Sequence, residues 1–361
     1  MSDNPKEAQE KMAKAIFISA DCWLCVFDLL PPSQLGLGIS MISHRFNFYV
    51  DEHFKTRKWT LKYIRIESKI GENGTKKMGI VKYYGKPMPI PQKALPKKVV
   101  GFKDITISYI DRNAIAFLRR FRQLFAAFPI NLSIKTENDR ILVFILRNIW
   151  PMIVKNIDVL HLSAAFFHRL RQFVPTILDD CPSLRFVAVI FSDFFPEFPC
   201  DDSAMASDGQ AMAKWLFTPL QSNVPKVFKC SLDMDARILA SKLEDFKAAF
   251  ASASSPANFI VVFWFPLSSA DSVVPFDLTN GFTREQLALK RTKYIDCPSS
   301  CFLLVRCPIA RDANKWTKWE EEVFRLEFRD QWNRIDIQIN NEDQIGDGLL
   351  DAILGPSDQK K

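Results

Sequence analysis

Glycine is scarce in this chain, 12 residues in 361, which speaks against an architecture built on glycine turns. Histidine is rarer still, at four, so a structural zinc centre, which needs four ligands in close pairs, has few candidates. No apolar run approaches the roughly 18 residues of a membrane span. The longest, Phe259 to Phe265, stops at Pro266. The first residues, with Asp3, Lys6, Glu7, Glu10, Lys11 and Lys14, mix charges and lack the layout of a secretory signal. The eight cysteines are scattered, without the density of a disulfide framework. Cys22 and Cys25 form a C-x-x-C, and Cys297, Cys301 and Cys307 cluster more loosely. They read as buried, reduced thiols. These absences predict an intracellular soluble protein, cytoplasmic or nuclear, with no membrane partner, metal or cofactor.

Catalytic patterns are missing too. The nearest approach to a phosphate-binding loop, Gly79 to Gly85-Lys86, has five intervening residues where four are needed. It ends in Pro87, which cannot supply the hydroxyl that meets magnesium. Gly36-x-Gly38 opens like a dinucleotide fingerprint, but Met41 stands where the third glycine belongs. There is no G-x-S-x-G elbow and no H-E-x-x-H. The chain reads as non-catalytic.

Phenylalanine is abundant, with 31 residues, and the net charge is +7. That charge is local. Lys55 to Lys103 holds 14 Lys or Arg against Glu67 and Glu72, which leaves the rest of the chain net acidic. This basic segment reads as a solvated connector. Its alternative reading is a patch for an acidic partner or an RNA backbone, although the aromatic-basic signature of an RNA module is absent and nucleic acid is not the expected partner.

Residues 1–14 read as a polar tail, 15–62 as a small helical module, 63–98 as a basic, Pro-rich linker with a hairpin at Asn73-Gly74, 99–350 as one large unit and 351–361 as a second tail. In the module, Asp21 is a cap for a first helix carrying Trp23, Val26, Phe27 and Leu30 on one buried stripe. Pro31-Pro32-Ser33 ends that helix. Leu35, Ile39 and Ile42 form a second stripe, and Phe46 and Val50 a third. In the large unit, strand-like starts at Ile105, Ile130, Val159 and Phe186 lie 25, 29 and 27 residues apart, with helical stripes between them. That spacing fits one strand and one helix per unit, as in a leucine-rich-repeat solenoid. Farther on, a helix near Asp312 carries Trp316, Trp319, Val323 and Leu326 on one face, and Ile335, Ile337 and Ile339 mark a strand. The predicted class is α/β, with α+β or a more compact α/β sheet as the alternative.

Ile18-Ser-Ala-Asp-Cys-Trp-Leu-Cys-Val-Phe27-Asp-Leu-Leu30, followed by Pro31-Pro32 and Leu35, resembles the opening of an F-box. Ile42-Ser43-His44-Arg45-Phe46 resembles its close. Val50 to Thr60, Pro89 to Val99, Trp215-Leu216 and Lys315-Trp-Thr-Lys-Trp319 extend the likeness to a family of nematode F-box-containing proteins. The chain departs from the pattern at Ile18-Ser19, where Leu-Pro is usual, and at Phe46, where Trp is usual. The resemblance implies a three-helix F-box that binds a Skp-type adaptor, and through it a cullin, while the rest of the chain holds an unidentified target protein for ubiquitination. Its adaptor-binding residues would be Ile18, Trp23, Phe27, Leu30, Pro31, Leu35, Ile39, Ile42 and Phe46. The alternative is an interaction scaffold outside any ligase, acting through residues 55–103.

Overall fold

The computed structural model describes residues 18–55, 59–70, 76–81, 99–189, 193–292, 300–325 and 333–351. The chain divides into two compact units, one from Met1–Leu61 with Pro91–Val100 and one from Lys62–Ile90 with Gly101–Lys361. Among the described residues, no helix is long and apolar enough to cross a membrane.

The smaller unit contains α1 (Ala20–Asp28), α2 (Pro32–Leu37), a 3-10 turn (Ile39–Met41) and α3 (His44–His53). The cap of α1 is Ser19, whose hydroxyl accepts from the Cys22 N–H, so Asp21 lies in the first turn instead. Pro32 is the first residue of α2 and Pro31 its N-cap, where a missing N–H costs nothing. The two prolines therefore separate two helices as the sequence suggests. Ser43 caps α3 by accepting from the Phe46 N–H.

The larger unit is mixed α/β, and its described strands form a twelve-stranded sheet. Its strands are β1 (Trp59–Ile70), β2 (Lys76–Val81), β3 (Val99–Ile107), β4 (Ile130–Lys135), β5 (Ile157–Leu162), β6 (Phe186–Val189), β7 (Lys226–Ser231), β8 (Phe259–Phe265), β9 (Phe276–Asn280), β10 (Glu285–Thr292), β11 (Ser300–Pro308) and β12 (Arg334–Gln338). The order across the sheet is β2-β1-β3-β12-β4-β5-β6-β7-β8-β11-β10-β9. From β3 to β8 every pairing is parallel, while β8-β11-β10-β9 is antiparallel.

The helices α4 (Arg112–Arg120) and α5 (Arg122–Ala127) join β3 to β4, and α6 (Asp139–Asn148) and α7 (Trp150–Ile153) join β4 to β5. The connections from β5 to β8 carry α8 (Ala164–Phe173), α9 (Asp208–Phe217) and α10 (Ala236–Ser252). Because β4 to β8 are neighbours in chain order, right-handed crossovers place their helices on one face of the sheet. Accordingly α6 packs on α8, and α8 on α9. The final helix, α11 (Ala313–Arg325), covers the other face. Its Trp316 and Val323 pack with Val159, Phe186, Val227, Ile260, Val262, Leu303 and Val305. With both faces covered, β6 and β8 read as continuous apolar runs instead of alternating ones.

The strands expected near Ile105, Ile130, Val159 and Phe186 are all present, and Asp111 caps α4 through the Ala114 N–H. Two expectations are corrected. A solenoid adds strands in chain order, but β12 inserts between β3 and β4, pairing in parallel with both. The described part of the segment 63–98 is not a linker either: Arg65 to Ile70 pair antiparallel with Val81 to Lys76, which bears out the hairpin expected about Asn73-Gly74 but makes it part of the sheet. Residues 71–75, with Asn73-Gly74, and the Pro-rich stretch 82–98 lie outside the described residues, as do both tails, apart from residue 351.

Many of the phenylalanines pack in the interior. Phe198, Phe217, Phe246 and Phe259 meet with centroids 5.1 to 5.7 Å apart. Within this cluster Arg306 is completely buried, 2.6 Å from the Glu285 carboxylate, and lies over the rings of Phe217, Phe250 and Phe259. The other Glu285 oxygen accepts from the Ala257 N–H at 2.8 Å, so the buried charges are paired, with Arg306 Nη1 alone left without a hydrogen-bond partner among the described residues.

Candidate functional site

The smaller unit has its own core of Phe27, Leu35, Val50 and Phe54. Trp23, Leu24, Leu30, Ile39, Phe46 and Tyr49 pack against it, half-buried. Trp23 stands edge-on to Phe46 at 4.9 Å.

This core changes the picture of the adaptor-binding candidates. Phe27 and Leu35 are each 1% exposed and hold the unit together from inside, where a partner cannot reach them. Trp23, Leu30, Ile39 and Phe46 keep only part of their surface outside. Ile18, Pro31 and Ile42 are exposed, Ile42 at 63%. Two exposed residues were absent from the candidate set, Leu29 at 84% and Phe48 at 57%. A third, Val26, belongs to the outer face and not to the buried stripe where its spacing had placed it.

These residues follow a pattern. Cys22, Cys25, Val26 and Leu29 are all exposed and lie at intervals of three, four and seven, so they share one face of α1. Trp23, Leu24, Phe27 and Leu30 form the packed face. α1 is thus apolar nearly all round, with Asp21 and Asp28 its only charges. Such a helix is at rest when both faces are covered. The exposure of Cys22 and Cys25 also corrects the expectation of buried thiols. Cys181, Cys230, Cys301 and Cys307 are buried as expected, and Cys297 lies outside the described residues. Burial pushes the Cys181 thiol up to about 12 and the Cys307 thiol up to about 11.

The larger unit holds a crevice of about 510 Å³ where the C-terminal ends of β4 and β5 meet the residues after β12. Its walls include Ser133, Lys135, Thr136, His161, Ser163 and Asn340, with Phe166 from α8. Parallel sheets place crevices here, where neighbouring strands send their chains in different directions. Ser133 and His161 face each other in register on β4 and β5. Burial first, and then the charges of Lys229 and Arg334, hold the His161 imidazole down at about 3, so it is neutral near pH 7 and a poor general base. The Ser163 hydroxyl caps α8 by accepting from the Phe166 N–H at 3.1 Å. The walls can hydrogen-bond a polar group, and among the described residues no cluster of His, Cys, Asp or Glu could hold a metal ion.

Of the basic segment 55–103, the side chains of 56–59 and of 69–98 lie outside the described residues. Within the described part, Lys55 pairs with Glu52 one helical turn before it. The aromatic helix α11 spends Trp316 and Val323 on the sheet, with Trp316 at 5% exposure.

No family model matches the chain, and neither a curated protein nor a solved structure matches it.

Proposed function

We propose that the chain is the substrate-recruiting subunit of a Skp–cullin–F-box ubiquitin ligase, cytoplasmic or nuclear. Its helical unit would dock on a Skp-type adaptor and its larger unit would hold a target protein. The observation that carries this reading is the second apolar face of α1, Cys22, Cys25, Val26 and Leu29, which the unit itself leaves uncovered. An apolar helix face that the fold does not bury has a partner as its natural cover. The F-box-like run from Ile18 to Phe46 supplies the kind of partner. The chain then performs no chemistry. Tethering raises the effective concentration of target lysines beside the ubiquitin-charged enzyme.

In this reading the parallel β4 to β8 succession serves as the platform on which the target is held. α11 lies over the sheet face that an open repeat would offer, so the target would be held by strand ends and loops, the crevice beside His161 among them. Co-expression with a Skp-type adaptor should yield a complex that co-elutes in gel filtration at micromolar concentration. If neither protein shifts the other, the ligase reading fails. A salt-sensitive complex with another partner that survives deletion of residues 1–62 would favour the scaffold alternative.

A further inference from the structure

We propose that Cys22 and Cys25 are a redox-active dithiol that closes to a disulfide within α1, and that closure turns off docking through this face. The second half rests on the adaptor reading above. The first half does not.

Three observations converge on the pair. Both thiols are exposed, whereas Cys181, Cys230, Cys301 and Cys307 are buried and Cys200 is half-buried. They stand three residues apart on one helix face, which sets their Cα atoms about 5 Å apart, inside the range that a disulfide spans. Their position in the helix permits the remaining movement. Cβ atoms at this spacing are about 5–6 Å apart and a disulfide draws them to roughly 4 Å, so one of the two residues must shift. Cys22 is the third residue of α1, and its N–H donates to the Ser19 hydroxyl at 3.3 Å, not to a carbonyl of the helix. The Ser19 hydroxyl in turn donates to the Cys22 sulfur at 3.2 Å. Cys22 can therefore move by giving up a capping contact, while the helix ladder beyond it stays intact.

The chemistry balances with a small disulfide such as oxidised glutathione. One cysteine, after losing its proton to solvent, attacks a glutathione sulfur and expels one glutathione thiolate. The second cysteine sulfur, its proton lost, attacks the mixed disulfide and expels the other. Two electrons pass from the cysteine pair to glutathione disulfide, and the two protons end on the released glutathiones. Closure rearranges the first turn of α1, at one end of the stripe that continues through Val26 and Leu29.

The full chain is incubated with oxidised glutathione, alkylated without unfolding, and digested for mass spectrometry. The expected product is a peptide carrying both cysteines, unalkylated and lighter by two hydrogens. With Cys25→Ser, the expected product is a stable glutathione adduct on Cys22. Stable glutathione adducts on both cysteines of the unaltered chain, or full alkylation after oxidant, would overturn the dithiol. Co-elution with the Skp-type adaptor is then compared for reduced, oxidised and re-reduced chain, with helical circular dichroism confirming that each is folded. At least a tenfold loss of affinity on oxidation, recovered with dithiothreitol, is expected. Equal affinity of the two forms would overturn the gating while leaving the disulfide in place. A reduced chain that never binds the adaptor would refute the ligase reading and the gating together, and the disulfide result would stand.

Discussion

Leu29 offers the sharpest test of the outer face of α1. It is 84% exposed at the C-cap of the helix, so nearly all of its side chain is available to a partner. Burying a leucine contributes about 1.5–3 kcal/mol. Leu29→Lys forfeits that contribution and asks the interface to desolvate a charge, so a loss of at least about 2 kcal/mol is expected. That corresponds to roughly a thirtyfold weaker complex. The fold should not notice. Surface substitutions usually fall within about 0.5 kcal/mol, and a cation at a helix C-terminus is mildly favourable. Phe27→Ala makes the opposite comparison. Phe27 is 1% exposed among Leu35, Val50 and Phe54, and its truncation should cost about 3–5 kcal/mol. A unit this small has little reserve against such a loss. Titration calorimetry with the adaptor, beside thermal unfolding by circular dichroism, separates the two effects. Leu29→Lys that binds as tightly as the unaltered chain would refute the assignment of this face.

Other expectations follow from the interior. Leu35→Asp places a carboxylate at a position 1% exposed, so it should unfold the helical unit by near-ultraviolet circular dichroism and cannot serve as an interface probe. Arg306→Met leaves Glu285 buried without its partner and should cost about 3–5 kcal/mol in urea denaturation, with Glu285→Gln added to it restoring part of the loss. His161 stays neutral in the folded chain down to about pH 3, while the unfolded chain takes up the proton near 6.5. Stability therefore falls as pH drops below 6.5, by roughly 2 kcal/mol at pH 5, and His161→Gln should flatten that fall. Lys226 behaves in the opposite range. Burial lowers it to about 8, although its Nζ donates to the Trp215 carbonyl at 2.6 Å. The unfolded chain holds the extra proton between pH 8 and 10.5, so stability should rise across that window and Lys226→Met should remove the rise.

What could be read in advance was whatever local pattern decides. The starts of β4 and β6 at Ile130 and Phe186 and the Asp111 cap were legible, because apolar clusters and capping residues act within a few positions. The partners of β12 were not legible. Ile335 and Ile337 announce a strand, but nothing in their neighbourhood names β3 and β4 across some two hundred residues. β9 to β11 escaped notice for a related reason. Glu285 and Arg306 look like surface residues until each is seen to neutralise the other inside the sheet. In α1 the difficulty was phase. With apolar residues at positions 22 to 27 in succession, spacing alone puts Val26 on one stripe with Trp23, Phe27 and Leu30, yet the packed face turns through Trp23, Leu24, Phe27 and Leu30. An all-round apolar helix does not declare which side faces inward, and its second stripe is visible only once the first is packed.

The position of β12 also governs when the chain can finish folding. On a ribosome adding about 5–20 residues per second, some 10–40 s separate the emergence of β4 from that of β12. Throughout that interval β3 and β4 present unpaired backbone to each other's place, and the slot between them is filled last. β5 to β8, neighbours in chain order, can pair as they appear. A ribosome stalled, or a message truncated, before Arg334 would release a chain with two open sheet edges at its centre, a form suited to aggregation and not to partial activity. Stop codons far downstream of the helical unit should therefore be as damaging as early ones.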